Sequence, residues 1–181
     1  MSITNLGKGA GGKKTNINGL SYEEFTNLNK YYDVMKEEKY CKVIKFKNYN
    51  NMYISTDKSN LFKYMLLHNK LKNNIKNGHG CKNPDECYID NIYSNIFIIE
   101  KKFQQSKGSV CEKIQTVDFK LWQYQRLFPS FNIIYIYCLS EWFKKNCKAE
   151  LEYLKIKKIT IFYGNDIKYK MKIIKFITSY K

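Results

Sequence analysis

The sequence predicts an α/β fold in which a mixed β-sheet is flanked by helices. Three short runs of β-branched and aromatic residues, at 95–103, 131–139 and 159–164, have the length and composition of strands. A longer segment with apolar residues at helical spacing follows each run. Strands that alternate with helices in this order indicate a sheet with helices packed on it.

The first twenty residues are predicted to be a loop or arm that precedes a single domain over residues 21–181. The arm is rich in glycine, lysine and asparagine. A backbone of this kind can lie close to phosphates or in a groove, and a flexible tail is the alternative interpretation. A length of 181 residues fits one domain, and an apolar share of 44% is enough for a core.

The first half of the domain combines helices with a β-hairpin. In chain order, the predicted elements are a helix at 22–29, a hairpin within 40–57, a helix at 60–71 and a short strand at 87–90. Ser21 and Glu24 have the Ser-x-x-Glu spacing of a capping box, which predicts the start of the first helix. The turn at 91–95 predicts an antiparallel pair between the short strand and the run at 95–103.

The second half alternates strands and helices. The predicted elements are a helix at 109–127, a strand at 131–139, a helix at 140–155, a strand at 159–164 and a closing amphipathic helix at 169–180. Ser109 and Glu112 again have capping-box spacing, and Pro129 is expected to end the helix that they begin.

The chain is strongly basic, with 32 lysine and arginine residues against 16 aspartate and glutamate residues and a net charge of +16. This balance favours a polyanionic partner, nucleic acid first. The alternative is an AT-rich genome, in which lysine codons are common. Genome bias would also enrich the acidic residues, so the excess of bases favours nucleic acid.

No apolar run approaches the roughly 20 residues of a membrane span, and the N-terminus lacks the apolar core of a secretory signal. We therefore expect no membrane partner and a cytoplasmic location, in a host cell or a virus-infected cell. In such a reducing compartment the cysteines are expected to be free thiols. They are Cys41, Cys81, Cys87, Cys111, Cys138 and Cys147.

A cluster of charges marks the end of the run at 95–103. Side chains alternate along a strand, so Glu100 and Lys102 share one face with the isoleucines before them, and Lys101 lies on the other face. A carboxylate and an ammonium at the end of an apolar strand are costly unless they are paired or bound to a ligand. The predicted hairpin brings Asp85 or Asp90 towards them.

Two carboxylates and a lysine are the groups that metal-dependent cleavage of a phosphodiester requires. Mg²⁺ binds a few carboxylate oxygens and leaves room for water and phosphate. The carbonyl oxygen of Lys101 could add a ligand between Asp85 and Glu100. A bound ion acidifies water and offsets charge in the transition state, and Lys102 could orient that water or stabilise the developing charge.

These residues carry a family resemblance. Pro84-Asp85 followed by Glu100-Lys101-Lys102 resembles the PD-(D/E)XK nuclease superfamily. The run Ile98 to Gln104, with Gly108-Ser109-Val110-Cys111-Glu112-Lys113 after it, resembles more narrowly a group of type II restriction endonucleases. The glycine-rich arm and the segments 137–142 and 162–164 also resemble that group. Cys111 departs from the pattern, because an aspartate is expected there.

The resemblance implies a restriction-endonuclease-like core and a Mg²⁺-dependent, sequence-specific enzyme that hydrolyses double-stranded DNA, expected as a homodimer. It implies metal ligands at Asp85 and Glu100, with Lys101 beside them, and a catalytic lysine at Lys102. The candidate DNA contacts are Lys13, Lys14, Asn16, Asn18, Gln104, Lys107, Ser109, Lys113 and Gln115. Rival functions are a non-cleaving basic DNA-binding protein and a DNA-repair nuclease of the same fold.

Several residues have competing interpretations. Asp90 and Glu86 compete with Asp85 as the first carboxylate, and Glu24 could reach the metal. Glu100 and Lys102 could instead form a surface ion pair. His79, Cys81 and Cys87 suggest zinc, but the spacing lacks a Cys-x-x-Cys pair and a second half-site.

Overall fold

The computed structural model describes residues 13–71, 81–106 and 110–181, which form a seven-stranded mixed sheet flanked by helices. The strands are β1 (Tyr32–Glu38), β2 (Cys41–Phe46), β3 (Met52–Thr56), β4 (Glu86–Asp90), β5 (Asn95–Lys102), β6 (Asn132–Leu139) and β7 (Thr160–Tyr163). The helices are α1 (Lys13–Thr26), α2 (Asn60–Leu67), α3 (Val110–Gln115), α4 (Val117–Leu127), α5 (Trp142–Asn146), α6 (Lys148–Ile156) and α7 (Tyr169–Ser179), with a short 3-10 helix at Asn29–Tyr31. The predicted α/β class with a mixed, helix-flanked sheet is confirmed.

The strands lie in the sheet in the same order as in the chain. Strands β1 to β5 pair antiparallel, while β5, β6 and β7 pair parallel. Parallel neighbours need a crossover connection, and α3 with α4, then α5 with α6, occupy the two crossovers. The predicted antiparallel pair of β4 and β5 is confirmed, with Glu86 opposite Ile99.

The sheet separates two hydrophobic clusters, and β5 contributes alternate side chains to each. Ile96 and Ile98 belong to the cluster that includes buried residues of α2 to α6. Phe97 and Ile99 belong to the other cluster, with buried residues of α1 and α7. This alternation is the one expected from the sequence, and it directs Glu100 to the first face and Lys101 to the second.

The N-terminal region differs from the prediction. Helix α1 begins at Lys13, so the prediction of a non-helical arm is wrong for residues 13–20, and Ser21 lies inside the helix instead of capping it. Residues 1–12 are outside the described residues. Tertiary packing explains the difference, because Tyr22 is buried and its hydroxyl accepts a 3.1 Å hydrogen bond from the backbone N–H of Gly164.

Strand β1 was not expected from the sequence. It is an edge strand with mostly exposed side chains and a register shift between Val34 and Lys36. Its sequence lacks the apolar alternation that identifies a half-buried strand, whereas charged residues and a bulge are common devices on exposed edges.

Two predicted long helices are each divided in two. The segment 109–127 breaks at Thr116, between α3 and α4, and the segment 140–155 breaks at Cys147, between α5 and α6. In the described ranges, no helix has the length and apolarity needed to cross a membrane.

A disulfide joins Cys111 of α3 to Cys147, with the two Cα atoms 5.7 Å apart. The prediction of free thiols is therefore wrong for these two residues. Residues 36 positions apart become neighbours only when the helices after β5 and β6 pack on the same face, a contact that cysteine spacing does not reveal. The remaining four cysteines, Cys41, Cys81, Cys87 and Cys138, are free as predicted.

Candidate active site

Two strand ends bring Asp85 next to Glu100. The backbone N–H of Asp85 donates a 3.2 Å hydrogen bond to the carbonyl of Ile99. The β4–β5 register ends with Glu86 opposite Ile99, directly after Asp85, and the charge of Asp85 interacts with those of Lys102 and Glu100. The carboxylate of Asp85 then accepts a 2.7 Å hydrogen bond from the backbone N–H of Lys101. The hairpin therefore fixes the position of both acids.

Glu100 is the centre of a buried network of charges and hydroxyls. Its Oε1 is 2.6 Å from the ammonium of Lys102 and 3.1 Å from that of Lys120. Its Oε2 accepts a 3.2 Å hydrogen bond from the hydroxyl of Tyr135. The side chain of Glu100 is only 9% exposed, whereas that of Lys102 is 24% exposed. Lys102 is thus the member of the network that solvent, or a ligand, reaches most readily.

The pKa values of Asp85 and Glu100 are shifted in opposite directions. Burial raises the pKa of Asp85 to about 6, with Lys102 opposing the shift and Glu100 adding to it. Burial would also raise the pKa of Glu100, but Lys102 and Lys120 together outweigh it and hold that pKa below its usual range. Neighbouring acids whose environments separate their pKa values are typical of functional sites.

Lys102 is held in its charged form. Its burial would lower the pKa of the ammonium, but the carboxylates of Glu100 and then Asp85 outweigh this effect and raise that pKa above its usual value. A protonated lysine can donate hydrogen bonds to water or to a phosphate oxygen, but it cannot accept a proton.

The side chain of Lys101 belongs to a second buried cluster of charges, on the face of the sheet opposite Glu100. Its ammonium forms a 2.7 Å ion pair with Glu86 and donates a 2.9 Å hydrogen bond to the carbonyl of Glu23. Glu86 also accepts hydrogen bonds from the backbone of Leu28 and the hydroxyl of Tyr88. Only the backbone of Lys101 therefore lies beside the Asp85–Glu100 pair, and Glu86 faces away from that pair.

The structure places the other two candidate acids differently. Asp90 lies at the far end of β4, where its carboxylate accepts hydrogen bonds from the backbone N–H groups of Ile92 and Tyr93. It forms the hairpin turn and not the site. Glu24 is exposed on α1 and lines a cleft that also contains Asp85.

This cleft has a volume of about 690 Å³ and lies between α1 and the ends of β1 to β4. Seven acidic residues and three lysines line it. The acidic lining stands out in a chain whose net charge is +16. A phosphate group could approach these carboxylates only together with a cation that offsets their negative charge.

Sequence reasoning missed two residues of the network, Lys120 and Tyr135. The missed signal for Lys120 was its helical register, since it lies on the buried stripe of α4 with Val117, Tyr124 and Leu127. A charged residue on an apolar helical face indicates a buried partner. No comparable signal identified Tyr135, because tyrosine is common in strands.

The candidate DNA contacts are dispersed. Asn18 is half-buried on α1, and Lys113 and Gln115 are exposed on α3, where Gln115 donates a 3.1 Å hydrogen bond to Glu150. The backbone N–H of Gln104 donates a hydrogen bond to the hydroxyl of Ser140, and that hydroxyl donates one to the carbonyl of Gln104. Outside the described side chains are those of Lys13, Lys14, Asn16, Lys107 and Ser109.

The donor set at Asp85 and Glu100 fits a hard cation. Both are carboxylates, which Mg²⁺ prefers, and Mg²⁺ usually takes only one or two of them with waters and phosphate. Elsewhere among the described residues, one group of three or more His, Cys, Asp or Glu side chains brings its ligand atoms within 4.8 Å of each other: Cys111, Cys147 and Glu150. Two of those three ligands are joined by the disulfide.

Comparisons with protein-family models, with curated proteins and with solved structures give no match to this chain.

Proposed function

We propose that this protein is a Mg²⁺-dependent endodeoxyribonuclease of the PD-(D/E)XK type that hydrolyses double-stranded DNA at specific sites. The observation that carries this proposal is the gathering of three charges at the end of β5: the Asp85 carboxylate is 2.7 Å from the backbone nitrogen of Lys101, and the Lys102 ammonium is 2.6 Å from Glu100. The order of these groups along the two strands is the order expected for the Pro-Asp and Glu-x-Lys motifs.

In this proposal Asp85, Glu100 and the carbonyl oxygen of Lys101 hold the ion. Mg²⁺, when bound, polarises the phosphate and lowers the pKa of a coordinated water. Hydrolysis joins the water oxygen to phosphorus, breaks one phosphorus–oxygen bond to a sugar, and leaves a proton on the departing oxygen. The side chains make the remaining contributions to catalysis.

The two lysines have separate tasks. Lys120 is buried in α4 and keeps Glu100 ionised. Lys102 is more exposed, so it is the lysine that can donate hydrogen bonds to the attacking water or to a phosphate oxygen and stabilise the developing negative charge. The net charge of +16 would bring DNA to the surface. Two copies related by a two-fold axis would match a palindromic site.

Cleavage of a supercoiled plasmid tests the proposal. We expect discrete fragments with Mg²⁺ and none with EDTA. Lys102→Ala should lower the cleavage rate by at least about a hundredfold, and Lys36→Ala, which removes an exposed lysine of β1, should leave it unchanged. Cleavage by Lys102→Ala at the wild-type rate would refute the assigned role. Sedimentation of the uncleaved complex measures whether two copies bind one site.

One observation favours a second function, that of a DNA-binding protein that does not cleave. Both oxygens of Glu100 already have protein partners, so Glu100, Lys102, Lys120 and Tyr135 also fit a purely structural network. A wild-type chain that retards DNA in a gel but never cuts it with Mg²⁺ would support this function. A smear of products instead of discrete fragments would indicate a repair nuclease.

A further inference from the structure

Helix α4 has an exposed aromatic face on the side away from Glu100. Phe119 is 59% exposed and Trp122 is 53% exposed, and their ring centroids are 5.6 Å apart with planes inclined by only 26°. The chain's single arginine, Arg126, lies next along the same stripe, with its guanidinium 5.4 Å from the centroid of Trp122. Residues at these spacings share one face of a helix.

We propose that Phe119, Trp122 and Arg126 form a stacking surface for the unpaired bases of single-stranded DNA. Nothing in the proposed cleavage requires this surface, and the inference holds whether or not the chain cuts DNA. A contiguous exposed aromatic patch can mark an interaction site, and three observations indicate the partner that fits this one.

The first observation is the geometry of the rings. Nearly parallel aromatic planes match the faces of nucleic-acid bases, and base–aromatic stacking tolerates any sequence. The centroid separation of 5.6 Å is that of an offset-stacked pair, and with Phe119 59% and Trp122 53% exposed, part of the ring surface is left for a further ring. The stripe rises by about 10 Å along the helix axis, enough for more than one base.

The second observation is charge. Arg126 supplies a cation beside the rings, and the whole chain carries a net charge of +16. A phosphate backbone is complementary to both. Bases inside a duplex present only their edges, so the ring faces select for an unpaired strand.

The third observation concerns the sugar. Phenylalanine has no polar side-chain atom, and tryptophan and arginine only donate hydrogen bonds. A ribose 2′-hydroxyl could accept a hydrogen bond from Trp122 or Arg126, but its own proton would find no acceptor among these three side chains, whereas deoxyribose has no such proton to satisfy. Single-stranded DNA is accordingly the proposed ligand.

Helix α4 also places this surface close to the candidate active site. Lys120, between Phe119 and Trp122 in sequence, points the opposite way and contacts Glu100 at 3.1 Å. A helix is about 10–12 Å across with its side chains. A strand stacked on the outer face would thus lie roughly one helix diameter from the Asp85–Glu100 pair.

Tryptophan fluorescence provides the test. In a Trp142→Phe background Trp122 is the only tryptophan, and EDTA prevents any metal-dependent cleavage. Addition of an oligothymidylate of sixteen nucleotides should quench this emission at micromolar concentration. Heparin, a polyanion without bases, should leave it unchanged, and so should a blunt duplex.

Variants assign the binding to the surface. Phe119→Ala should weaken oligothymidylate binding between about fivefold and 150-fold, the range for loss of one stacked ring. Arg126→Gln should also weaken it and reduce the salt dependence by about one ion. Tyr93→Ala removes a 44% exposed ring from the β4–β5 turn and should leave the affinity unchanged.

Four outcomes would overturn the inference. One is an affinity of Phe119→Ala within twofold of the parent protein, provided that circular dichroism shows both to be folded. Should that variant not fold, equal quenching of the parent by heparin and by oligothymidylate would overturn it instead. The others are tighter binding of an oligouridylate of the same length, and conversion of a dimer to a monomer by Phe119→Ala, which would make the surface a self-association interface.

Discussion

Asp85 should destabilise the folded protein at neutral pH, and Asp85→Asn should remove that cost. Burial raises the pKa of this carboxyl from its usual value near 3.8 to about 6. Its folded pKa exceeds its unfolded one, so its contribution to stability is greatest below pH 3.8 and is lost as the pH rises through 6. The difference between the two values corresponds to about 3 kcal/mol above pH 6. The asparagine can still accept the hydrogen bond from the backbone of Lys101.

The assay is urea denaturation at a series of pH values from 4 to 8. We expect the free energy of unfolding of Asp85→Asn, relative to wild type, to rise by about 2.4 kcal/mol across this range, with most of the change between pH 4 and 6. Asp33→Asn, at an exposed position on β1, provides the matched control and should show no such trend. Taking the difference between the free energies of unfolding of the variant and the wild type cancels the contributions of the other titrating groups.

The two results that would refute the reasoning are distinct. A difference that does not change with pH would show that Asp85 is well solvated in the folded protein. A rise with pH but no stabilisation of wild type by added Mg²⁺ at pH 8 would leave the burial intact and argue against the metal site. Mg²⁺ should raise the melting temperature of wild type and leave that of Asp85→Asn unchanged.

Three further predictions concern packing, the disulfide and the second lysine. A methyl group on Gly164 would collide with buried side chains of α1, so Gly164→Ala should lower the free energy of unfolding by about 1–3 kcal/mol, while Gly19→Ala, in open space on that helix, should not lower it. Reduction of the Cys111–Cys147 disulfide should cost about 4 kcal/mol, and Cys111→Ser should match the reduced wild type with or without dithiothreitol. Lys120→Met should raise the pKa of Glu100 and lower the free energy of unfolding by about 1–3 kcal/mol at pH 7, a loss that shrinks as the pH falls below 4.5. Chemical denaturation that shows no loss at pH 7 would contradict the buried ion pair.

Local pattern was enough to predict most of the elements. The continuous apolar runs that became β5 and β6 are buried on both faces, and such runs are distinctive in composition. The pairing of β4 with β5 followed from a short turn between two strand-like segments. That pairing also agrees with the position of Asp85, one of the two acids expected near the end of β5, whose carboxylate accepts a hydrogen bond from the backbone of Lys101.

The errors occurred where tertiary contacts decide the outcome. Helix α1 begins at Lys13 although its sequence contains an inner glycine and several asparagines, and its buried Tyr22 contacts a loop about 140 residues away. Edge strand β1 pairs with β2 without burying an apolar face of its own. Neither contact leaves a periodic signal in the chain.

The sequence by itself determined which residues alternate across the sheet and that a carboxylate and a lysine meet at the end of β5, because side-chain direction along a strand is a local property. Only the tertiary structure decided that Lys120 and Tyr135 complete the partners of Glu100, that Lys101 turns to Glu86, and that Cys111 meets Cys147. These contacts join segments that are distant in the chain, and helix packing on the sheet brings them together.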